Sequence, residues 1–167
     1  MPAELPIDEV DLAYMRLALE EAALAACEGE VPVGAVLVHQ GNVVARTHNQ
    51  VERDKCGFAH AELLAIEEAT RKLGMWRLDD CVLYVTKEPC PMCAGAMVNC
   101  RLPRLVFGCG DKRTGGAGGA LNITAMPDGI HQVSVTSGLL ADECLAIIQE
   151  FFRKRRQDIS KNKDNRE

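Results

Sequence analysis

Cys90-Pro91-Met92-Cys93 sets two thiols three residues apart, and Ala59-His60-Ala61-Glu62 lies upstream with an imidazole and a carboxylate. Pro91 suits the first position of a helix, where its missing N–H leaves no bond unmade. Cys90 then falls at the cap and Cys93 in the first turn, with both sulfurs aimed at one point. The free N–H groups and positive end of that helix favour thiolates, the form that binds metal. Two thiolates and one imidazole make a Cys₂His set from His60, Cys90 and Cys93. Three protein ligands leave the fourth tetrahedral position of Zn²⁺ open for water, an arrangement of catalytic rather than structural zinc. The two negative sulfurs balance the ion, so the site is formally neutral before its water loses a proton. Glu62 would stand about 200° around a regular helix from His60. It is therefore a poor second ligand and a good candidate to move protons at the bound water. His39, His48 and His131 lack ligand spacing to any other group.

These groups must be delivered by regular elements. Asp8 to Glu28 reads as a helix capped by Asp8 and stopped by Gly29, with Val10, Ala13, Tyr14, Leu17 and Leu24 on or near one apolar face. Val33 to His39 and Asn42 to Asn49 are β-branched, apolar runs about Gln40-Gly41 and predict a hairpin. Residues 50 to 58 read as a polar loop. His60 to Leu73 predicts a helix with Leu63, Ile66, Thr70 and Leu73 inward, Glu67/Arg71 and Glu68/Lys72 paired outward, and Gly74 at its end. Cys81 to Thr86 reads as a buried strand leading to the thiol helix, Pro91 to Cys100, in which Ala94-Gly95-Ala96 permits close packing. Arg104 to Cys109 and Gln132 to Thr136 are further strands. A long helix starts at Leu139, with Leu140, Cys144, Ile147, Ile148 and Phe151 inward. This order implies an α/β sandwich with helices covering a mixed sheet.

Composition narrows the class. A chain of 167 residues with 47% hydrophobic content suits one globular domain with a substantial core. The N-terminal Met1-Pro2-Ala3-Glu4-Leu5-Pro6 has no basic start or apolar stretch, and no apolar run approaches a membrane span, so a cytoplasmic protein is expected. Eight cysteines scattered over helices and strands read as reduced core residues rather than a disulfide framework. The net charge of −5 is unevenly spread: residues 153–167 hold seven Lys/Arg and three Asp/Glu, a local balance of +4. That argues against general nucleic-acid affinity but leaves a local basic patch. From about Ser160 the sequence has little to bury and is expected to fray.

His60-Ala61-Glu62 followed by Pro89-Cys90-Pro91-Met92-Cys93 resembles the zinc deaminases of nucleobases. The flanks are similar to one branch of that superfamily, the bacterial tRNA adenosine deaminases that make wobble inosine. They are Val31-Pro32-Val33-Gly34-Ala35-Val36, Glu88 to Met97, Val106-Phe107-Gly108, Asp111, Thr114-Gly115 and Phe151-Phe152-Arg153-Lys154-Arg155-Arg156. The resemblance covers roughly residues 10 to 157. It implies a cytidine deaminase-like, three-layer α/β/α sandwich whose mixed sheet has about five strands. The implied reaction is hydrolytic deamination of adenosine to inosine at tRNA position 34, with Zn²⁺ as cofactor, Glu62 as acid–base and no organic cofactor. The implied partners are a tRNA anticodon loop and a second copy of the chain as homodimer.

The same resemblance draws further residues towards the substrate. Asn49 is either a turn former at a strand end or a contact to the base. Asp111 leads a stretch to Gly119 that holds four glycines and is either the loop beside the pocket or a plain surface connection. Phe152, Arg155 and Arg156 suit stacking and phosphate contact with an unpaired loop, or simply end a solvated helix. Cys56 and Cys109 are placed near the mouth of the site. Lys55-Cys56-Gly57-Phe58 departs from the Asp-Pro-Thr that commonly precedes the family's Ala-His-Ala-Glu. Two other functions compete: a free purine base or nucleoside deaminase such as guanine deaminase, whose zinc pattern is similar, and a non-catalytic interaction domain stabilised by zinc.

Overall fold

The computed structural model of the chain describes residues 8–164, with side chains as far as Asn162. The N-terminal stretch Met1–Pro6 and the end of the tail expected to fray lie outside them. The elements in order are α1 (Glu9–Cys27), β1 (Gly34–His39), β2 (Asn42–His48), α2 (Val51–Asp54), α3 (Ala61–Leu73), β3 (Cys81–Lys87), α4 (Pro91–Asn99), β4 (Arg104–Cys109), β5 (Ser134–Ser137) and α5 (Ala141–Asp164). A single 3-10 turn at Ile123–Ala125 precedes β5. The five strands form one mixed sheet in the order β2-β1-β3-β4-β5. β1 is antiparallel to both β2 and β3, whereas β3, β4 and β5 run parallel.

Strand alternation assigns the helices to two faces. Ala35, Leu37, Leu83, Val85, Leu105 and Phe107 point to the side covered by α3 and α4. Val36, Val38, Tyr84 and Val106 point to the other, against Met15 and Ala18 of α1 and Cys144 of α5. The sandwich is therefore three-layered, as the resemblance implies. Among the described residues no helix is long and apolar enough to cross a membrane.

The expected face of α1 is corrected by the structure. Val10 and Leu24 are 56% and 50% exposed, and the buried residues are Asp11, Met15, Ala18, Glu21, Ala22 and Ala25. Small residues face the sheet because the backbones approach closely: a Cβ on Gly34 of β1 would lie 1.9 Å from the Ala18 carbonyl oxygen. The two buried acids are satisfied from the sheet. Asp11 accepts a bidentate pair from Arg104 at 2.9 and 2.6 Å and a bond from the Tyr84 hydroxyl at 2.7 Å. Burial opposes ionisation of Asp11, yet these donors hold its carboxyl below the usual range. Glu21 meets Arg46 Nε at 3.0 Å and His48 Nδ1 at 2.9 Å, and Glu28 meets the other ring nitrogen of His48 at 2.9 Å. Burial lowers and the two carboxylates raise the His48 pKa, with a net rise. A group whose pKa rises on folding stabilises the fold below its unfolded value near 6.5, and that contribution fades as pH climbs through the folded value.

Other boundaries shift for local reasons. The expected loop at 50–58 contains α2, whose cap residue Gln50 makes no side-chain capping bond. Its N-terminal N–H groups bond instead to Glu30, at 3.1 Å from Glu52 and 2.7 Å from Arg53. The inward side of α3 is Ala61, Glu62, Ala65, Ile66 and Ala69, with Leu63 and Leu73 packed at its margin. α5 carries on past Ser160 to Asp164.

Candidate active site

The C-terminal ends of β2, β3 and β4 and the start of β1 lie at the same end of the sheet. The register pairs Gly34 with His48, and Lys87 with Cys109. The chain leaving β2 gives Asn49, α2 and then His60. That leaving β3 gives Lys87, Glu88 and Cys90, and that leaving β4 gives Asp111. His60 is the N-cap of α3 and Cys90 the N-cap of α4, both with extended backbones (φ/ψ of −78°/147° and −70°/168°). Neither side chain caps its own helix, so both are free to turn towards each other. Pro91 occupies the first turn of α4, as its chemistry predicts.

His60 Nδ1 lies 3.6 Å from Cys90 Sγ and 3.6 Å from Cys93 Sγ. The three donor atoms all fall within 4.8 Å of one another. Tetrahedral zinc with Zn–S of about 2.3 Å and Zn–N of about 2.0–2.1 Å requires an N···S separation of about 3.6 Å. The donor set thus has the spacing that a metal of this kind needs. The electrostatics agree. A hydrogen bond from the Cys93 thiol brings Cys90 down to about 3, and that contact together with burial pushes Cys93 up. A cation taking all three donors would favour both sulfurs as thiolates. His60 is raised by its bond to Cys90, against burial.

Glu62 is in the first turn of α3, buried, and burial pushes its carboxyl above the usual range despite its backbone hydrogen bond and the nearby His60. A carboxyl raised in this way is a stronger proton acceptor than an ordinary one, which suits a group that takes and then gives a proton. It lines a cavity of about 530 Å³ together with His60 and Cys90. Val31, Val33 and Val51 supply apolar wall; Asn49, Asp111, Phe152 and Arg155 lie on the same cavity. Cys93 is fully buried beneath it. Arg156 is exposed on α5 and does not line the cavity, and Cys56 and Cys109 do not line it either. Cys109 instead packs in the α1/α5 core, with its thiol 3.5 Å from the Thr86 carbonyl oxygen.

The carboxylate of Asp111 is already engaged. It accepts from the backbone N–H groups of Arg113 (2.8 Å) and Thr114 (3.0 Å), from the Thr114 hydroxyl (2.6 Å) and from Lys87. Burial opposes these donors, but together they hold it well below the ordinary carboxylate range. Asp111 therefore orders its loop while facing the cavity.

Two acids that the sequence reading left without a role also shape the site. Glu88 is buried and accepts backbone N–H bonds from Asp111 (2.7 Å), Ala117 (3.0 Å) and Gly119 (2.8 Å). The glycines let the loop wrap it: a Cβ on Gly115 or Gly119 would fall 2.3 or 2.5 Å from Glu88 side-chain atoms. An acid directly before Pro89, facing a run of glycines, was the available signal. Glu30, at the cavity wall, had none, because a polar residue after Gly29 reads as an exposed turn.

Residues 9–156 match the family model of the MafB19-like deaminases. The tRNA-specific adenosine deaminase of Bacillus subtilis (strain 168) is 47% identical over 147 residues, covering 88% of this chain and 91% of that protein. The chloroplastic tRNA(adenine(34)) deaminase of Arabidopsis thaliana is 42% identical over 87% of this chain, which matches 12% of that longer protein. A solved structure from work on A-to-I editing by tRNA:A34 deaminases superposes with a TM-score of 0.78 at 41% identity, over 81% of this chain and 98% of the other. A guanine deaminase from Nitrosomonas europaea is also similar, with a TM-score of 0.71 at 26% identity, over 90% and 87% of the two chains.

Proposed function

Starting from a chain that belongs to the MafB19-like deaminases, and among them to the tRNA-specific adenosine deaminases, we propose that it hydrolyses adenosine to inosine at wobble position 34 of tRNA and releases ammonia. The observation that carries the choice of substrate is that α5 brings Phe152 and Arg155 to the cavity that also holds Glu62. An aromatic ring and a guanidinium at the rim suit an unpaired, phosphate-bearing loop better than a free base.

His60, Cys90 and Cys93 are the residues that would hold Zn²⁺, which when bound supplies a water of lowered pKa as the nucleophile. Glu62 takes the proton from the attacking water and delivers it to the ring nitrogen beside C6. Once C6 is tetrahedral, Glu62 takes the remaining proton from the new C6 hydroxyl and passes it to the amino group; the C6–N bond breaks, ammonia leaves, and the carbonyl of inosine remains beside its protonated ring nitrogen. Asn49, on the cavity that Val31 and Val33 also line, offers its carboxamide to the base. Asp111 holds the loop beside it. No organic cofactor enters this chemistry, and a single deaminase domain working in the cytoplasm on tRNA suffices for it.

The rim residues give the test. Arg155→Glu with Arg156→Glu is expected to lower kcat/KM on an adenosine-34 tRNA by at least about tenfold while zinc content and fold stay intact, because two phosphate contacts are reversed in sign. Added salt should inhibit the parent more steeply than the double variant. Ammonia release is compared on that tRNA, guanine, adenine and free adenosine. Robust turnover of a free base with none on tRNA would replace this reading with that of a base deaminase.

We also propose a homodimer. Ala94 is packed in the core, but a Cβ on Gly95 would meet nothing within 4 Å, so the small-residue surface of α4 is open where a second copy could approach. Light scattering at micromolar concentration is expected to give twice the chain mass of 18.2 kDa. A mass of one chain would remove the proposal.

A further inference from the structure

Glu30 is 1% exposed, yet it lines the catalytic cavity. Its backbone N–H closes the end of α1 on the Ala25 carbonyl at 2.9 Å. Its carboxylate accepts the two N–H groups of α2 described above and, at 3.5 Å, the side-chain nitrogen of Asn49. Asn49 is itself buried and lines the same cavity, and among the described residues its side chain makes no other hydrogen bond.

We propose that Glu30 is a positioning residue that sets which end of the Asn49 carboxamide faces the base. This role presupposes the deaminase reading above and follows from what the two side chains can donate and accept. The oxygen and nitrogen ends of an amide have nearly the same shape, so neighbours decide its orientation. A carboxylate engaged by N–H groups can only accept. It holds the NH₂ end of Asn49 and would repel the carbonyl end. One N–H and the carbonyl of Asn49 are then left for the cavity in a fixed sense. Purine ring nitrogens away from the amino group accept hydrogen bonds. An amide held this way meets such a nitrogen with a donor, whereas a flipped amide would oppose it with a second acceptor. Glu30 never touches the base; it acts through Asn49.

The test is a double-mutant cycle of Glu30→Gln and Asn49→Ala, measured per bound zinc on an adenosine-34 anticodon stem–loop. Glutamine keeps the size of Glu30 but can donate as well as accept, so it no longer dictates the amide's sense. Glu30→Gln is expected to lower kcat/KM about tenfold, mostly through KM, the scale of one hydrogen bond to a charged group. In the Asn49→Ala background it should cost less than about twofold, because the group it positions is gone. Losses that multiply would overturn the proposal, and so would parent activity per bound zinc in a folded Glu30→Gln. If Glu30→Gln does not fold, Asn49→Asp is compared with Asn49→Ala. Asp is expected to be about tenfold the worse, since it sets a second carboxylate against Glu30; equal activity would overturn the proposal. A parent inactive on the stem–loop but active on guanine or adenosine would instead refute the tRNA reading, and the same cycle would then be read on that base.

Discussion

Glu62→Ala is expected to give a folded protein that keeps its metal and loses about 10²–10⁴-fold or more in deamination, the range attributed to a positioned general acid–base. The side chain sits in the first turn of α3 against the cavity, whereas the three donors proposed to hold the metal are those of His60, Cys90 and Cys93. Removing it therefore takes away the proton carrier without taking away a ligand. Because burial raises its carboxyl, removing a buried acid should not weaken the fold, and thermal stability is expected to hold or rise slightly. The measurement pairs zinc analysis with single-turnover deamination of an adenosine-34 tRNA. Near-parent turnover at full zinc content would take Glu62 out of the mechanism, and a variant that lost zinc would make it a ligand.

The second large effect is expected from Cys93→Ala. Cys93 is fully buried in α4 and contributes one of two sulfurs placed 3.6 Å from His60 Nδ1. Two remaining donors cannot hold zinc against the water and buffer of a purification, so metal content should fall to a small fraction of one ion per chain. Metal binding to a site absent from the unfolded chain is folding free energy, so the melting temperature should fall with it. Plasma emission analysis and calorimetry on parent and variant check both outcomes. Undiminished zinc in Cys93→Ala would remove Cys93 from the ligand set. The contrast with Glu62→Ala is the useful part: both variants lose activity, but only one loses metal.

Local chemistry accounts for what could be read directly. Pro91 in the first helical turn, with cysteines on either side, leaves α4 little choice in where its two sulfurs point, and β-branched runs about Gln40-Gly41 leave little choice but a hairpin. Asp8 caps α1 through its bond to the Asp11 N–H at 2.7 Å, a contact that spans three residues. His60 joined the set through its imidazole and the resemblance, since nothing in a helix period links it to a thiol thirty residues away. The family, through that resemblance, the order of helices and strands along the chain, and a candidate proton-carrying acid were legible in the sequence.

The inner face of α1 was not. Apolar residues predicted one stripe, but Asp11 and Glu21 are buried because Arg104, Tyr84, His48 and Arg46 arrive from β2, β3 and β4 to pair with them. The Asp11–Arg104 contact spans 93 residues, and no window of sequence contains both partners. The cavity's supports have the same origin: Glu30 reaches Asn49 across 19 residues and Glu88 reaches Gly119 across 31. The thiol pair of α4 and the regular elements were legible in the chain because they follow from residue type and from contacts within one turn, whereas His60 and Glu62 entered as candidates through their chemistry and the resemblance. Which charges are buried and what holds the pocket walls emerged with the folded arrangement, because a buried carboxylate is tolerated wherever the fold supplies its donors.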